Sequence, residues 1–258
     1  MKTKNFLKEN SEELRGGAKL FKRLPSYLCN MSKLYDLLNN YYGSKGAWVE
    51  VEAVFKEQGI QIDMNDMYNP FKNLVIGILS QNTSDRNSTR AYIGLSNQFK
   101  ITPTELANAP INKIRDSIKA GGLYNMKAKR IKKLAQTVLK RFHGDLSTIT
   151  KLPKNKARES LLNLKGIGVK TADVFLAYCM NQDTLPIDTN IERVAKRIGI
   201  TKSGAKYEEI QKALAKVIPP MRRVRGHELL IRLGRDFCKA QKPLCNKCPV
   251  ISICRKQF

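Results

Sequence analysis

In the stretch ARESLLNLKGIGVKTADVFLAYCM (residues 157–180), a helix carrying Leu161, Leu162 and Leu164 runs into Gly166-Ile167-Gly168, and a second helix begins near Val169. Two glycines one residue apart let the backbone turn sharply and bring bare N–H groups to a surface. Those donors, with the N-terminus of the following helix, make an anion site. The plain alternative is a tight helix–helix turn without a ligand.

A Gly-x-Gly pair alone says little, but Leu-x-Gly-Ile-Gly-x-Lys-Thr-Ala between two apolar helices is the narrower helix–hairpin–helix pattern, and the anion it suits is a DNA phosphate. Lys170 falls in the first turn of the second helix. The positive end of the helix dipole disfavours its ammonium, as partial burial or nearby cations would. A lysine partly neutral near pH 7 is an amine nucleophile for Schiff-base chemistry. Bringing it to about 7.5 costs about 4 kcal/mol, more than one dipole supplies, so burial must do most of the work. A phosphate contact is the competing role. Pro186-Ile187-Asp188-Thr189-Asn190 places an aspartate 18 residues after Lys170, just before the helical stretch 191–198. Asp188 reads as an N-cap, and a capping Asp can also hold one oxygen toward a cleft, so the two roles coexist.

Six cysteines are present, and four of them crowd into the last 21 residues as Cys238-x6-Cys245-x2-Cys248-x5-Cys254. A secreted protein of this length does not distribute disulfides that way, and a metal or cluster site in a reducing compartment fits better. Zinc accepts four thiolates but favours two short-spaced knuckles, whereas this set has a single Cys-x2-Cys. A [4Fe–4S] cluster is the other occupant. Cys29 and Cys179, single and flanked by apolar residues, read as ordinary buried thiols.

The 258 residues hold 47 Lys and Arg against 22 Asp and Glu, a formal charge of +25, with 42% hydrophobic residues. That apolar share suffices for one large core or two smaller ones and excludes a disordered basic tail. No apolar run approaches the ~18–20 residues of a membrane span, and the opening MKTKNFLKENSEEL lacks the apolar core of a secretory signal. An intracellular protein facing polyanions is expected, with nucleic acid ahead of an anionic membrane surface. Segment 119–142 carries eight Lys and Arg and no acid. It reads as a solvated helix face or as a phosphate-facing surface.

Residues 1–45 read as an N-terminal extension, with some helical spacing over 24–38. A helix is expected from Trp48, with Val49, Val51, Val54 and Phe55 on it, to near Gly59. Asn69-Pro70 opens another over PFKNLVIGILS. Thr102-Pro103-Thr104-Glu105 reads as a helix cap, Gly121-Gly122 ends a helix, and 126–142 forms the next, with Ile131, Leu134, Val138 and Phe142 at helical spacing. No alternating strand pattern of useful length occurs. The expectation is a mostly α fold with two lobes.

The hairpin with its lysine, Ile187-Asp188-Thr189 and the 6-2-5 cysteine spacing together resemble the endonuclease III family of DNA glycosylases. The likeness runs over 69–254 and includes Leu79-Ser80 before a polar loop, Gly122-Leu123-Tyr124-Asn125-x-Lys127-Ala128, and Leu233-Gly234-Arg235 before the first cysteine. It implies an all-α, two-lobed helix–hairpin–helix DNA glycosylase fold. A six-helix barrel would span 67–181, a cluster lobe would combine 46–66 with 182–258, and 1–45 would lie outside. By that resemblance Lys170 attacks C1′ of the damaged nucleotide. Asp188 stabilises positive charge on the sugar and helps deprotonate the lysine. Cys238, Cys245, Cys248 and Cys254 hold a [4Fe–4S] cluster that shapes a basic loop, with Lys239 and Lys242 near phosphate.

The resemblance further implies a monomeric, DNA-associated glycosylase and abasic-site lyase of base excision repair. Its partner would be double-stranded DNA with damaged bases or abasic sites, and its substrates oxidised pyrimidines flipped into the cleft between the lobes. Two departures stand out. Lys165 replaces a proline often found before the first hairpin glycine, adding a phosphate contact beside Gly166 and Gly168. The glutamine that fills the gap of the flipped base matches Asn82 without a gap, or Gln81 with a one-residue slip, so both read as DNA contacts. Adenine-mismatch glycosylases need a glutamate before the polar loop, and 70–84 contains no acid. Relatives acting on 8-oxoguanine mostly lack the four cysteines. A mismatch-specific thymine or uracil glycosylase and a non-catalytic, zinc-containing DNA-binding module are the alternatives.

Overall fold

The computed structural model describes residues 31–43, 45, 49–60 and 63–256, and every regular element among them is helical. Cys29 and Trp48 lie outside the described residues, as does the 24–30 part of the helical spacing expected over 24–38. The helices are α1 (Leu34–Tyr42), α2 (Val49–Glu57), α3 (Pro70–Leu79), α4 (Asp85–Gln98), α5 (Pro103–Asn108), α6 (Ile111–Ser117), α7 (Tyr124–Phe142), α8 (Ser147–Thr150), α9 (Lys154–Leu162), α10 (Val169–Cys179), α11 (Thr189–Ile198), α12 (Tyr207–Val217) and α13 (Arg223–Asp236).

Local chemistry sets several starts. Asn69 Oδ1 accepts from the N–H groups of Phe71 and Lys72 at 3.1 and 3.0 Å, with Pro70 at the first helical position of α3. Thr102 Oγ1 accepts from Glu105 N at 3.2 Å to begin α5. Both side chains satisfy donors that a helix start otherwise leaves open. The apolar stripe of α7, Ile131, Leu134, Ala135 and Val138, is fully buried. Truncating Leu134 to Ala would cost about 2–5 kcal/mol.

Two apolar cores result. One gathers α3 to α10 around residues such as Leu74, Ile78, Leu95, Leu134 and Phe175. The other gathers α11, α12 and α13 around Ile191, Leu214 and Leu229. Leu34 and Leu38 of α1 are buried in this second core, so this part of the segment expected to be an extension is built into a lobe. The segment expected to join the cluster lobe also divides differently. Phe55 of α2 packs on the first core, and Glu57 pairs with Arg86 of α4 at 2.6 Å. Apolar periodicity says that a helix has a buried face but not which core covers it.

Two features seat the hairpin helix α10. A Cβ on Gly77 of α3 would stand 2.6 Å from Thr171 Cγ2, so only glycine allows this approach of α3 and α10. On the opposite side, buried Asp173 takes hydrogen bonds at 2.8 Å from Arg158 of α9 and from Tyr207 and Gln211 of α12. Gln211 also donates to Leu185 O at 2.9 Å, and Ile187 N to the Tyr207 hydroxyl at 3.2 Å. The segment leading to Asp188 is thus fixed to the same hub that holds α10.

Candidate active site

The hairpin is α9, the turn Asn163-Leu164-Lys165-Gly166-Ile167-Gly168, and α10. Leu164, expected on the first helix, belongs to the turn, where its buried side chain anchors the loop. The two glycines differ. Gly166 has φ +94°, the left-handed region that favours glycine, whereas Gly168 is extended at φ −98°, ψ 176° and caps α10 without a side chain. An added Cβ on Gly168 meets nothing within 4 Å, so this backbone faces open space at a helix N-terminus. Lys165 is exposed beside it.

Lys170 lies one residue into α10 and is partly buried. Desolvation, the largest influence, lowers its pKa; Asp188 and Asp85 raise it, and Arg235 lowers it further. Among the described residues no hydrogen bond or ion pair holds its ammonium. Asp188 caps α11, its Oδ1 accepting from Ile191 N at 2.8 Å and its Oδ2 from Asn190 Nδ2 at 3.0 Å. The capping role is therefore present, and the carboxylate is oriented at both oxygens.

Three neighbours escaped the sequence reading. His227 of α13 is buried, with Nδ1 2.8 Å from Pro186 O. Burial lowers its pKa, Lys170 and Arg235 push the same way, and Asp188 opposes. Arg235 Nη2 pairs with Asp85 Oδ2 at 2.7 Å. The Leu233-Gly234-Arg235 sequence before the cysteines marked Arg235, but no spacing rule joins it to Asp85, 150 residues away.

The loop after α3 holds Gln81 and Asn82. Gln81 is partly buried and bonded, through Nε2 to Gly166 O at 3.0 Å and through Oε1 to Arg130 Nη1 at 2.5 Å. Asn82 is exposed with φ +50°. These residues, with Gly166, Ile167 and Gly168, line an open groove of ≈ 490 Å³. Beneath the loop, Lys127 is fully buried and its Nζ donates to Leu79 O and Gly121 O at 2.7 and 2.8 Å. Burial lowers its pKa to about 8. Lys132 also turns inward, to Ala109 O at 2.6 Å. The basic segment 119–142 is thus no single face: Lys127, Arg130 and Lys132 bond within the protein, while Lys119, Lys129, Lys133, Lys140 and Arg141 are exposed.

Cys238, Cys245, Cys248 and Cys254 line one cavity together with Leu233, Phe237 and Val250. All four are partly buried, and burial raises the thiol pKa of Cys248 and Cys254, with the other thiols adding to it. Among the described residues no three His, Cys, Asp or Glu side chains converge as for one metal ion. Arg193 Nε donates to Cys238 O at 2.7 Å, and Arg197 donates to Lys239 O and Ala240 O at 2.6 and 3.0 Å. Lys239 and Lys242 project from this braced loop into solvent. Cys179 stands apart, its thiol pushed up to about 12 by burial.

No helix among the described residues is long and apolar enough to cross a membrane. Residues 75–220 match the family model described as HhH-GPD superfamily base excision DNA repair protein. Endonuclease III of Sulfolobus acidocaldarius is 37% identical over 188 residues, 72% of this chain and 82% of that one. The enzyme of Bacillus subtilis is 34% identical over 73% of this chain and 82% of its own. Among solved structures, a trapped endonuclease III–DNA covalent intermediate is 28% identical with a TM-score of 0.65, covering 80% of this chain and 92% of that one. The chain belongs to the HhH-GPD superfamily, in its endonuclease III family, and is a base excision repair DNA glycosylase.

Proposed function

We propose that the protein is a glycosylase and abasic-site lyase that removes oxidised pyrimidines through a Schiff base on Lys170. The observation that carries this reading is the state of Lys170: desolvated and free of any ion pair among the described residues, at the start of the hairpin helix, within the field of Asp188. A lysine kept for phosphate binding gains from full charge and water, whereas burial of this one favours the neutral amine. A similar solved structure, that of a trapped endonuclease III–DNA covalent intermediate, supports an enzyme nucleophile.

In this reading the neutral Lys170 amine attacks C1′, and the base departs with the electrons of the glycosidic bond and a proton. The Asp188 carboxylate, held by Ile191 N and Asn190, stabilises positive charge on the sugar. The C1′–O4′ bond then breaks with its electrons going to O4′, which takes up the proton that the secondary amine gives up, and the sugar ring opens to an imine. Removal of a C2′ proton then expels the 3′ phosphate by β-elimination. The hairpin N–H groups, Lys165, Lys239 and Lys242 take the backbone phosphates, with the loop that carries Gln81 and Asn82 facing the duplex.

The four cysteines fit a [4Fe–4S] cluster better than one zinc ion. They line one cavity together, and their single Cys-x2-Cys differs from the two short-spaced knuckles that four-cysteine zinc sites favour. When bound, the cluster supplies four iron–thiolate bonds that tie the end of α13 to the C-terminal loop.

Borohydride reduction on thymine-glycol or abasic duplex tests the reading. The expected result is a covalent adduct that Lys170→Gln abolishes; no adduct with any lesion overturns it. Iron and sulfide in the anaerobically purified protein are expected, and stoichiometric zinc in a colourless protein overturns the cluster. A panel of single-lesion duplexes (thymine glycol, dihydrouracil, G·U, G·T, 8-oxoguanine) tests the preference, with thymine glycol and dihydrouracil expected to be cut fastest.

A further inference from the structure

We propose that Gln81 is a positioning residue that, with Arg130, latches the loop after α3 onto the hairpin and leaves Asn82 to enter the duplex. The inference rests on the glycosylase reading above and adds a device to it. Both ends of the Gln81 amide are committed, Nε2 to Gly166 O at 3.0 Å and Oε1 to Arg130 Nη1 at 2.5 Å. Arg130 in turn lies along the hairpin, since a Cβ on Gly166 would stand 3.3 Å from both its Cγ and Cδ. The left-handed φ of +94° at Gly166 sets the direction of the carbonyl that Gln81 reads. Three elements far apart in sequence, the loop at 81, helix α7 at 130 and the turn at 166, are thereby joined around one side-chain amide.

Asn82 is left with the opposite properties. It is exposed, borders the ≈ 490 Å³ groove beside the hairpin, and holds a φ of +50° that asparagine tolerates better than most residues. Its amide offers donors and an acceptor to the edge of a base that has lost its partner. The hairpin grips the strand by phosphate, so the latch fixes how far from that grip the insertion residue stands. Inserting Asn82 then does not cost the ordering of a free loop at the moment of base extrusion.

Three measurements on the full chain test this. They are single-turnover excision of thymine glycol, affinity by anisotropy, and the fluorescence of a 2-aminopurine placed opposite an abasic-site analogue. Arg130→Met and Gln81→Met are each expected to slow excision about tenfold and to abolish most of the fluorescence change on binding. Their Kd is expected to stay within about threefold of wild type. The double variant is expected to be no worse than the poorer single one, because both remove one device. Additive losses, or losses confined to Kd, overturn the latch and make Arg130 a phosphate contact. Unchanged fluorescence in both variants overturns it as well. Should Gln81→Met not fold, Gln81→Ser removes the same two bonds and replaces it. If the wild-type chain neither excises any lesion nor changes the fluorescence, it is the glycosylase reading that fails.

Discussion

Arg235, in the last turn of α13, reaches Asp85, the first residue of α4, with Nη2 2.7 Å from Oδ2. This ion pair joins the two lobes, and both partners act on Lys170: Arg235 lowers its pKa and Asp85 raises it. The two charges therefore tune the nucleophile in opposite senses. Arg235→Met removes the lowering charge and leaves Asp85 unpaired, so the acidic limb of the single-turnover pH–rate profile is expected to move to higher pH. Asp85→Asn is expected to move it to lower pH. Stability should change by only about 1 kcal/mol in either case, because both groups keep some contact with water. Rates at saturating DNA across pH 5–9 check this, and limbs that shift in the same direction would show that the pair acts only by holding the lobes.

Asp188 both caps α11 and carries charge toward Lys170, and Asn separates the two roles. Asparagine caps as well as aspartate, so Asp188→Asn should keep stability within about 0.5 kcal/mol. Base removal should slow by about 100-fold or more, with DNA affinity nearly unchanged. Urea unfolding, excision and anisotropy measured together decide it; equal losses in binding and excision would make Asp188 a residue of the fold alone.

The hairpin glycines are expected to fail differently. At Gly168 an alanine meets no atom and no backbone strain, so Gly168→Ala should fold normally, with a cost under about 0.5 kcal/mol. Its methyl stands where a phosphate would approach the N–H groups, and affinity for damaged and undamaged duplex alike should fall about tenfold. Gly166→Ala meets a φ of +94° and Arg130 at 3.3 Å, and should destabilise by about 1 kcal/mol or more. Melting curves and salt titrations of the two variants check the contrast.

Much of this was legible because its determinants are local. The caps at Asn69, Thr102 and Asp188, the hairpin glycines and the cysteine spacing act over a few residues, so the chain itself displays them. What was not legible depends on chain crossing chain. Lys127 reads in the sequence as one of eight cations on a solvated or phosphate-facing surface, but the carbonyls that hold it come from Leu79 and Gly121, one of them 48 residues away. The periodic faces of α1 and α2 announced burial without naming the core, and the two helices went to opposite ones. Gln81 and Asn82 are adjacent amides that a one-residue slip in the family resemblance interchanges. Arg130 and Gly166 make them different, and neither could be paired with Gln81 by spacing.

His227 supplies a pH dependence that the charged residues around it make specific. Its Nδ1 sits 2.8 Å from Pro186 O, and a carbonyl only accepts, so this nitrogen carries the proton of the neutral ring. Burial holds the folded-state pKa below the ordinary value of about 6.5, aided by Lys170 and Arg235 and opposed by Asp188 and the Pro186 carbonyl. Below about pH 6.5 the unfolded chain therefore takes up a proton that the folded one refuses. The contribution of His227 to stability is complete above that pH and is lost as the pH falls toward the lower folded-state value. His227→Asn can still donate to Pro186 O but cannot titrate. Urea midpoints at pH 7.5 and 5.5 are expected to fall less for His227→Asn than for wild type. His227→Ala, which leaves the Pro186 carbonyl without its partner, should lose about 1–3 kcal/mol at both pH values. A wild-type midpoint that falls no further than that of His227→Asn would mean that the imidazole takes up its proton in the folded protein, beside Lys170.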